Sequence, residues 1–127
     1  MQKILLVEDD ALISEMYVNK LSSAGFEVAV AKDGDEAIAK TKEIKPDLIL
    51  LDVVLPKKDG FEILKEIKEY PETKNIKAIF LTNLGEEENI KRGREAQADA
   101  YLIKAHSTPS DIVEKVKEIL EAGKINN

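Results

Sequence analysis

Residues 48–60 read LILLDVVLPKKDG, and the fold turns on how this stretch is interpreted. Leu48, Ile49, Leu50 and Leu51 run without interruption into Asp52, and Val53, Val54, Leu55 and Pro56 then lead to the turn pair Asp59-Gly60. An unbroken apolar run leaves no face for solvent, so this strand is expected to be buried on both sides, as inside a parallel sheet. Asp52 then stands at the strand's carboxyl end, the edge where open α/β sheets hold their ligands. A carboxylate so placed is costly without a partner. The polar residues that end the other apolar runs are the candidates.

The chain has 127 residues, 43% hydrophobic and 35% charged, enough for one folded domain with a sizeable core. A net charge of −6 and a pI near 4.9 argue against direct binding to nucleic acid or to a membrane surface. With no cysteine there is neither a disulfide framework nor a thiolate metal site. The opening MQKILLVEDD carries an apolar run of only four residues, too short for a signal peptide or a membrane span. A soluble cytoplasmic protein is expected.

Strand and helix alternate five times. Ile4–Val7 is a first strand ending in Glu8-Asp9-Asp10, and the helix after it turns Ile13, Tyr17, Leu21 and Ala24 to one face before stopping at Gly25. Val28–Ala31 is a second strand, and Asp33-Gly34-Asp35 opens a helix that carries Ala37, Ile38, Thr41 and Ile44 inward and ends by Pro46. After Leu48–Asp52, a helix from Asp59-Gly60 buries Phe61, Leu64 and Ile67 and stops before Pro71. Ile76–Leu81 is the fourth strand, ending at Thr82. The fourth helix opens on Glu86-Glu87-Glu88, has few apolar anchors beyond Ile90 and Ala96, and holds Gly93 in its interior, so it is expected to dock least firmly. Ala100–Ile103 is the fifth strand, followed by Lys104. Ser107-Thr108-Pro109 starts a helix with the stripe Ile112, Val113, Val116, Ile119 and Leu120, and a polar, frayed end follows from Gly123. Such alternation requires a parallel sheet with right-handed crossovers and helices on both faces. It leaves the strand order open.

Glu8, Asp9, Asp10, Asp52, Thr82 and Lys104 therefore lie at carboxyl ends of strands. Clustered carboxylates repel, and a hard divalent cation with oxygen ligands is the simplest way to hold them ionised. Magnesium is favoured, because no histidine or cysteine in the cluster suits zinc or copper. Carboxylates, magnesium, an ammonium and a hydroxyl together make a site for phosphoryl transfer, with Asp52 as the nucleophile of an aspartyl phosphate. Singly, each residue has an ordinary role: acids before a helix cap it, Thr82 ends a turn, Lys104 is solvated, and Tyr101 packs in a core. Their recurrence at matching strand ends is what capping does not explain.

The motifs Val7-Glu8-Asp9-Asp10, Asp52-x-x-Leu55-Pro56-x-x-Asp59-Gly60, Leu81-Thr82 and Tyr101-Leu102-Ile103-Lys104 resemble those of receiver domains of two-component response regulators, of the single-domain chemotaxis type. The resemblance implies a flavodoxin-like three-layer fold, with five parallel strands in the order 2-1-3-4-5, in a domain spanning 1–124 and followed by a polar tail at 125–127. It implies that Asp52 accepts a phosphoryl group from a sensor histidine kinase or a phosphotransfer protein, and that the chain is a switch rather than an enzyme. Asp9 and Asp52 would ligate Mg2+ directly, Glu8 through water, and Val54 through its backbone carbonyl. Thr82 and Lys104 would bind the phosphoryl group, and Tyr101 would turn inward as Thr82 moves toward it. The output would be a protein contacted through the face built from the fourth helix, fifth strand and fifth helix, by a monomer or a phosphorylation-dependent dimer.

The chain departs from the family pattern at a few positions. Leu55 replaces the usual Met, a volume-conserving change. Asn83 stands where a small residue is common, and its amide would either crowd the phosphoryl group or bond to it. Ala105 stands where a cis proline is usual, leaving two possibilities: a trans bond with an altered loop to His106, or a costly cis bond. Val54 and Leu84 are apolar and hold no water for hydrolysis, so dephosphorylation is expected to be slow. Alternatives are a receiver cut from a larger regulator, an aspartate-nucleophile phosphohydrolase, a flavin- or nucleotide-binding domain, and a receiver-like domain that signals by contact alone. The phosphohydrolase wants a second acid at position 54, where Val54 stands. The nucleotide binder wants a loop that does not repel phosphate, where Glu8-Asp9-Asp10 stands.

Overall fold

The computed structural model describes residues 1–125, with side chains described for 1–122. The elements are β1 (Lys3–Val7), α1 (Ala11–Ser23), β2 (Glu27–Ala31), α2 (Gly34–Ile44), β3 (Leu48–Leu51), α3 (Gly60–Glu69), β4 (Lys77–Thr82), α4 (Glu87–Glu95), β5 (Ala100–Ile103), a single 3-10 turn at Lys104–His106, and α5 (Pro109–Ile125). The strands form one parallel sheet in the order β2-β1-β3-β4-β5. This is the order that the family resemblance implied. The α5 helix runs past Gly123, where fraying was expected, and of the expected tail Asn126 and Asn127 lie outside the described residues. No described helix is long and apolar enough to cross a membrane.

The central strand β3 is wholly buried, as its unbroken apolar run requires. Its side chains alternate between two cores. Ile49 and Leu51 join Leu5, Val7, Ala78 and Phe80 beneath Ala37 and Ile38 of α2 and Phe61, Ile63, Leu64 and Ile67 of α3. Leu48 and Leu50 join Ile4, Leu6, Ile79 and Leu81 beneath Tyr17 and Leu21 of α1 and Ile112, Val113, Val116 and Leu120 of α5. Burying side chains of this size stabilises by about 1.5–3 kcal/mol each. That two-sided burial makes the sheet a stiff mount for whatever its strand ends carry.

Local chemistry sets the helix ends. Asp10, Asp33 and Asp59 each cap a helix by accepting a backbone N–H, from Ile13, Glu36 and Glu62 at 3.0, 2.9 and 2.9 Å. Thr108 and Asp111 form a reciprocal pair at the start of α5, the Asp111 N–H to Thr108 Oγ1 at 3.1 Å and the Thr108 N–H to Asp111 Oδ2 at 2.9 Å, so Thr108 rather than Ser107 is the cap. The α4 helix has no side-chain cap, and Gly93 is its only buried residue. Ile90 and Ala96, the expected anchors, are half-buried. The expectation of a lightly docked fourth helix agrees with this.

Gly60 is required by a close approach rather than by a turn. Its N–H donates to the Val53 carbonyl at 2.8 Å, and a Cβ here would overlap the Asp52 carbonyl oxygen and lie 2.9 Å from Val53 Cα. Both obstacles are backbone, so no rotamer change relieves them. Gly60→Ala is expected to destabilise the fold by about 1–3 kcal/mol, against the usual helix-favouring sign of Gly→Ala. Urea unfolding of the two proteins checks it.

Candidate functional site

Asp52 follows the last residue of β3, and its N–H continues the ladder by donating to the Val7 carbonyl at 3.1 Å. Its side chain is only slightly exposed, and both carboxylate oxygens are engaged. Oδ1 accepts the Val53 N–H at 2.7 Å and the Val54 N–H at 3.3 Å. Oδ2 accepts from Lys104 Nζ at 2.8 Å. The same ammonium also donates to Glu8 Oε1, and Glu8 Oε2 accepts the Asp10 N–H at 3.1 Å. The partner sought for Asp52 is thus Lys104, brought from the end of β5 across β4.

The charges adjust one another. Burial pushes the Glu8 carboxyl up, opposed by its bonds to Lys104 and the Asp10 N–H. Burial pulls the Lys104 ammonium down, but its bonds to Asp52 and Glu8 outweigh this and leave it above the ordinary lysine value. Lys104 is therefore charged throughout the physiological range. Asp9, exposed at the rim, completes the cluster: Glu8, Asp9 and Asp52 each offer an oxygen within 4.8 Å of the others. Three carboxylates against one ammonium remain an anionic site, and all-oxygen donors at this spacing suit a hard divalent cation. Asp10, read with the strand-end acids, is instead the cap of α1.

Thr82 is buried at the end of β4, and its hydroxyl accepts the Leu84 N–H at a long 3.4 Å. The Leu84 carbonyl in turn accepts the Tyr101 O–H at 2.5 Å. One residue, Leu84, thus joins the Thr82 hydroxyl to the Tyr101 ring. That ring lies tilted on Phe80, centroids 5.8 Å apart, and over Gly93, where a Cβ would come within 2.8 Å of it. Burial raises the Tyr101 phenol above its ordinary value. The ring is inward, in the seat that a glycine in α4 leaves open.

All peptide bonds among the described residues are trans, Lys104–Ala105 included, and the segment to His106 forms the 3-10 turn. The Ala105 N–H donates to Asn83 Oδ1 at 3.1 Å. Sequence reasoning missed this bond. It also missed Lys57, whose ammonium lies 3.6 Å from both Asp33 and Asp35 and ties the loop after β3 to the start of α2. No local pattern signals a pairing between residues so far apart in the chain. Position 54 is a valine, 61% exposed, and so carries neither acid nor amide.

The family model described as response regulator receiver domain matches residues 4–117. The chain belongs to that family. As a receiver domain it is 40% identical over 119 residues to the phosphate regulon transcriptional regulatory protein PhoB of Escherichia coli (strain K12), covering 94% of this chain and 52% of that protein. The chain spans about half the length of the curated relatives it matches. Among solved structures, it resembles the CheY-like response regulator receiver domain protein of Methanospirillum hungatei JF-1, with a TM-score of 0.92 and 31% identity over 100% of this chain and 99% of that one. It also resembles the Mn(2+)-bound form of response regulator Rcp1, with a TM-score of 0.78 and 34% identity over 94% and 91% of the two chains. Such receivers are phosphorylation-based signalling switches.

A bound divalent cation stabilises the native state by mass action, about 2.7 kcal/mol at a hundredfold excess over Kd. Magnesium is therefore expected to raise the melting temperature of this receiver by several degrees, and Asp9→Asn to remove most of that rise while leaving the metal-free melt nearly unchanged. Thermal melts with and without 10-fold steps of magnesium check both parts.

Proposed function

We propose that this receiver takes a phosphoryl group onto Asp52 from a phosphohistidine of a sensor kinase or phosphotransfer protein, with Lys104 and Thr82 binding it. The observation that carries the reading is Asp52 at the centre of the charged cluster, with an ammonium 2.8 Å from Oδ2 and two further carboxylates beside it. In the transfer an Asp52 oxygen forms the new P–O bond, the P–N bond breaks, and the electron pair leaves on the imidazole nitrogen. Glu8, Asp9, Asp52 and the Val54 backbone carbonyl would hold Mg2+, which when bound offsets the charge on the phosphoryl oxygens. The backbone N–H groups of Val53 and Val54 keep the Asp52 carboxylate oriented, and Lys104 follows the incoming oxygens as Asp52 becomes an acyl phosphate. The Mn(2+)-bound form of response regulator Rcp1, similar in fold and sequence, supports a divalent cation on this receiver.

Signalling would follow from the joint at Leu84. A phosphoryl group that draws in the Thr82 hydroxyl removes its hold on the Leu84 N–H, while Tyr101 keeps hold of the Leu84 carbonyl. The lightly docked α4 then shifts, and the surface of α4, β5 and α5 meets a protein partner. This is a population shift, so the phosphoryl group must favour one state. A second reading, the receiver portion of a longer transcriptional regulator, is favoured by the half-length match to the phosphate regulon protein. An aspartate-nucleophile phosphohydrolase is disfavoured by the exposed Val54 where its second acid would stand.

Incubation with magnesium and acetyl phosphate is expected to add one phosphoryl group, seen by intact mass, and Asp52→Asn to abolish it. The label is expected to decay slowly, since Val54 and Leu84 offer a water nothing to hold; a lifetime of seconds or less would contradict that. Tyr101→Ala is expected to keep the labelling rate within about twofold and to weaken binding of the phosphorylated form to its partner about tenfold or more, the weight of a buried aromatic with its hydrogen bond. Partner binding that Tyr101→Ala leaves unaltered would remove the ring from the switch.

A further inference from the structure

The ladder between β4 and β5 ends at the pair Thr82–Ile103, and the chains then part into the loop before α4 and the 3-10 turn. The first N–H groups of a helical turn have no acceptor within it. Ala105 carries one of these, and Asn83 Oδ1 accepts it at 3.1 Å from 22 residues upstream. A proline at position 105 would have no N–H to offer. Two of the places where this chain departs from the receiver pattern, Asn83 and Ala105, are thus acceptor and donor of one bond.

The position of that bond gives it a consequence for chemistry. Lys104 lies between Ile103, held in the ladder, and Ala105, held by Asn83. Thr82 closes the ladder immediately before Asn83. The residues that carry the ammonium and the hydroxyl are therefore clasped together beyond the point where the sheet stops. Asn83 and Ala105 are both exposed, so the clasp lies outside either core.

We propose that Asn83 is a positioning residue, which by accepting the Ala105 N–H keeps Lys104 and Thr82 at their places beside Asp52 for phosphoryl transfer. The inference rests on the receiver function proposed above. Small displacements of charge-bearing groups lower transfer rates out of proportion to their effect on stability.

The test is a cycle of Asn83→Ala, Ala105→Pro and the double variant, each labelled with magnesium and phosphoramidate and followed by intact mass. Asn83→Ala is expected to lower the maximal labelling rate about three- to tenfold, the weight of one hydrogen bond, with half-saturating phosphoramidate and melting temperature little changed. In the Ala105→Pro background the same substitution is expected to cost less than about 1.5-fold, because the donor is already gone. A rate that Asn83→Ala leaves unchanged or increases, or an equal loss in both backgrounds, would overturn the proposal. If Ala105→Pro does not fold, Asn83→Leu keeps the bulk without the acceptor: a loss matching that of Asn83→Ala supports the clasp, and a wild-type rate overturns it. Failure of the wild-type protein to take any label would instead overturn the receiver function itself.

Discussion

The interaction on which the rest depends is the ammonium of Lys104 held between Glu8 and Asp52. Glu8 and Asp52 are buried at the ends of adjacent strands, where unpaired charge is strongly unfavourable. The lysine offsets both at once, and it does so from β5, two strands away from β3. A pair of this kind contributes little net stability over an apolar replacement. Its value is chemical: it orients the Asp52 carboxylate, and it places a cation where phosphoryl oxygens would arrive.

The sheet is what permits this. Because β3 is buried on both faces by two separate cores, the backbone that carries Asp52 is backed on either side by packed side chains. Gly60 presses against the Asp52 and Val53 backbone from the start of α3, so even the segment after the nucleophile is backed by main chain. The contrast with α4 is physical. That helix lacks a side-chain cap, buries only a glycine, and rests on a tyrosine ring bonded to the loop before it. Stiffness sits under the chemistry and looseness under the surface that would report it.

The paired departures at Asn83 and Ala105 illustrate how a site can keep its geometry with different parts. The Ala105 N–H stands at the head of a helical turn, where it has no acceptor within the turn. An asparagine at the end of the neighbouring strand satisfies it. The two positions are intelligible only together.

Much of this was legible in the sequence, because it is carried by short-range pattern. The unbroken run at Leu48–Leu51 determined a two-sided strand, the period of the helices determined which faces are buried, and Asp10, Asp33 and Asp59 stood where caps belong. The strand-end residues Glu8, Asp9, Asp52, Thr82 and Lys104 could be listed from the same pattern, and the family motifs supplied their order in space. Tertiary structure decided what depends on distance between remote segments: that Lys104 serves Glu8 and Asp52 together, that Tyr101 reaches the Leu84 carbonyl, and that Asn83 meets Ala105. The division has a single physical reason. Hydrophobic periodicity and capping are set by neighbours within a turn or two, whereas the pairing of a side chain with a group on another strand exists only once the sheet has set the two side by side.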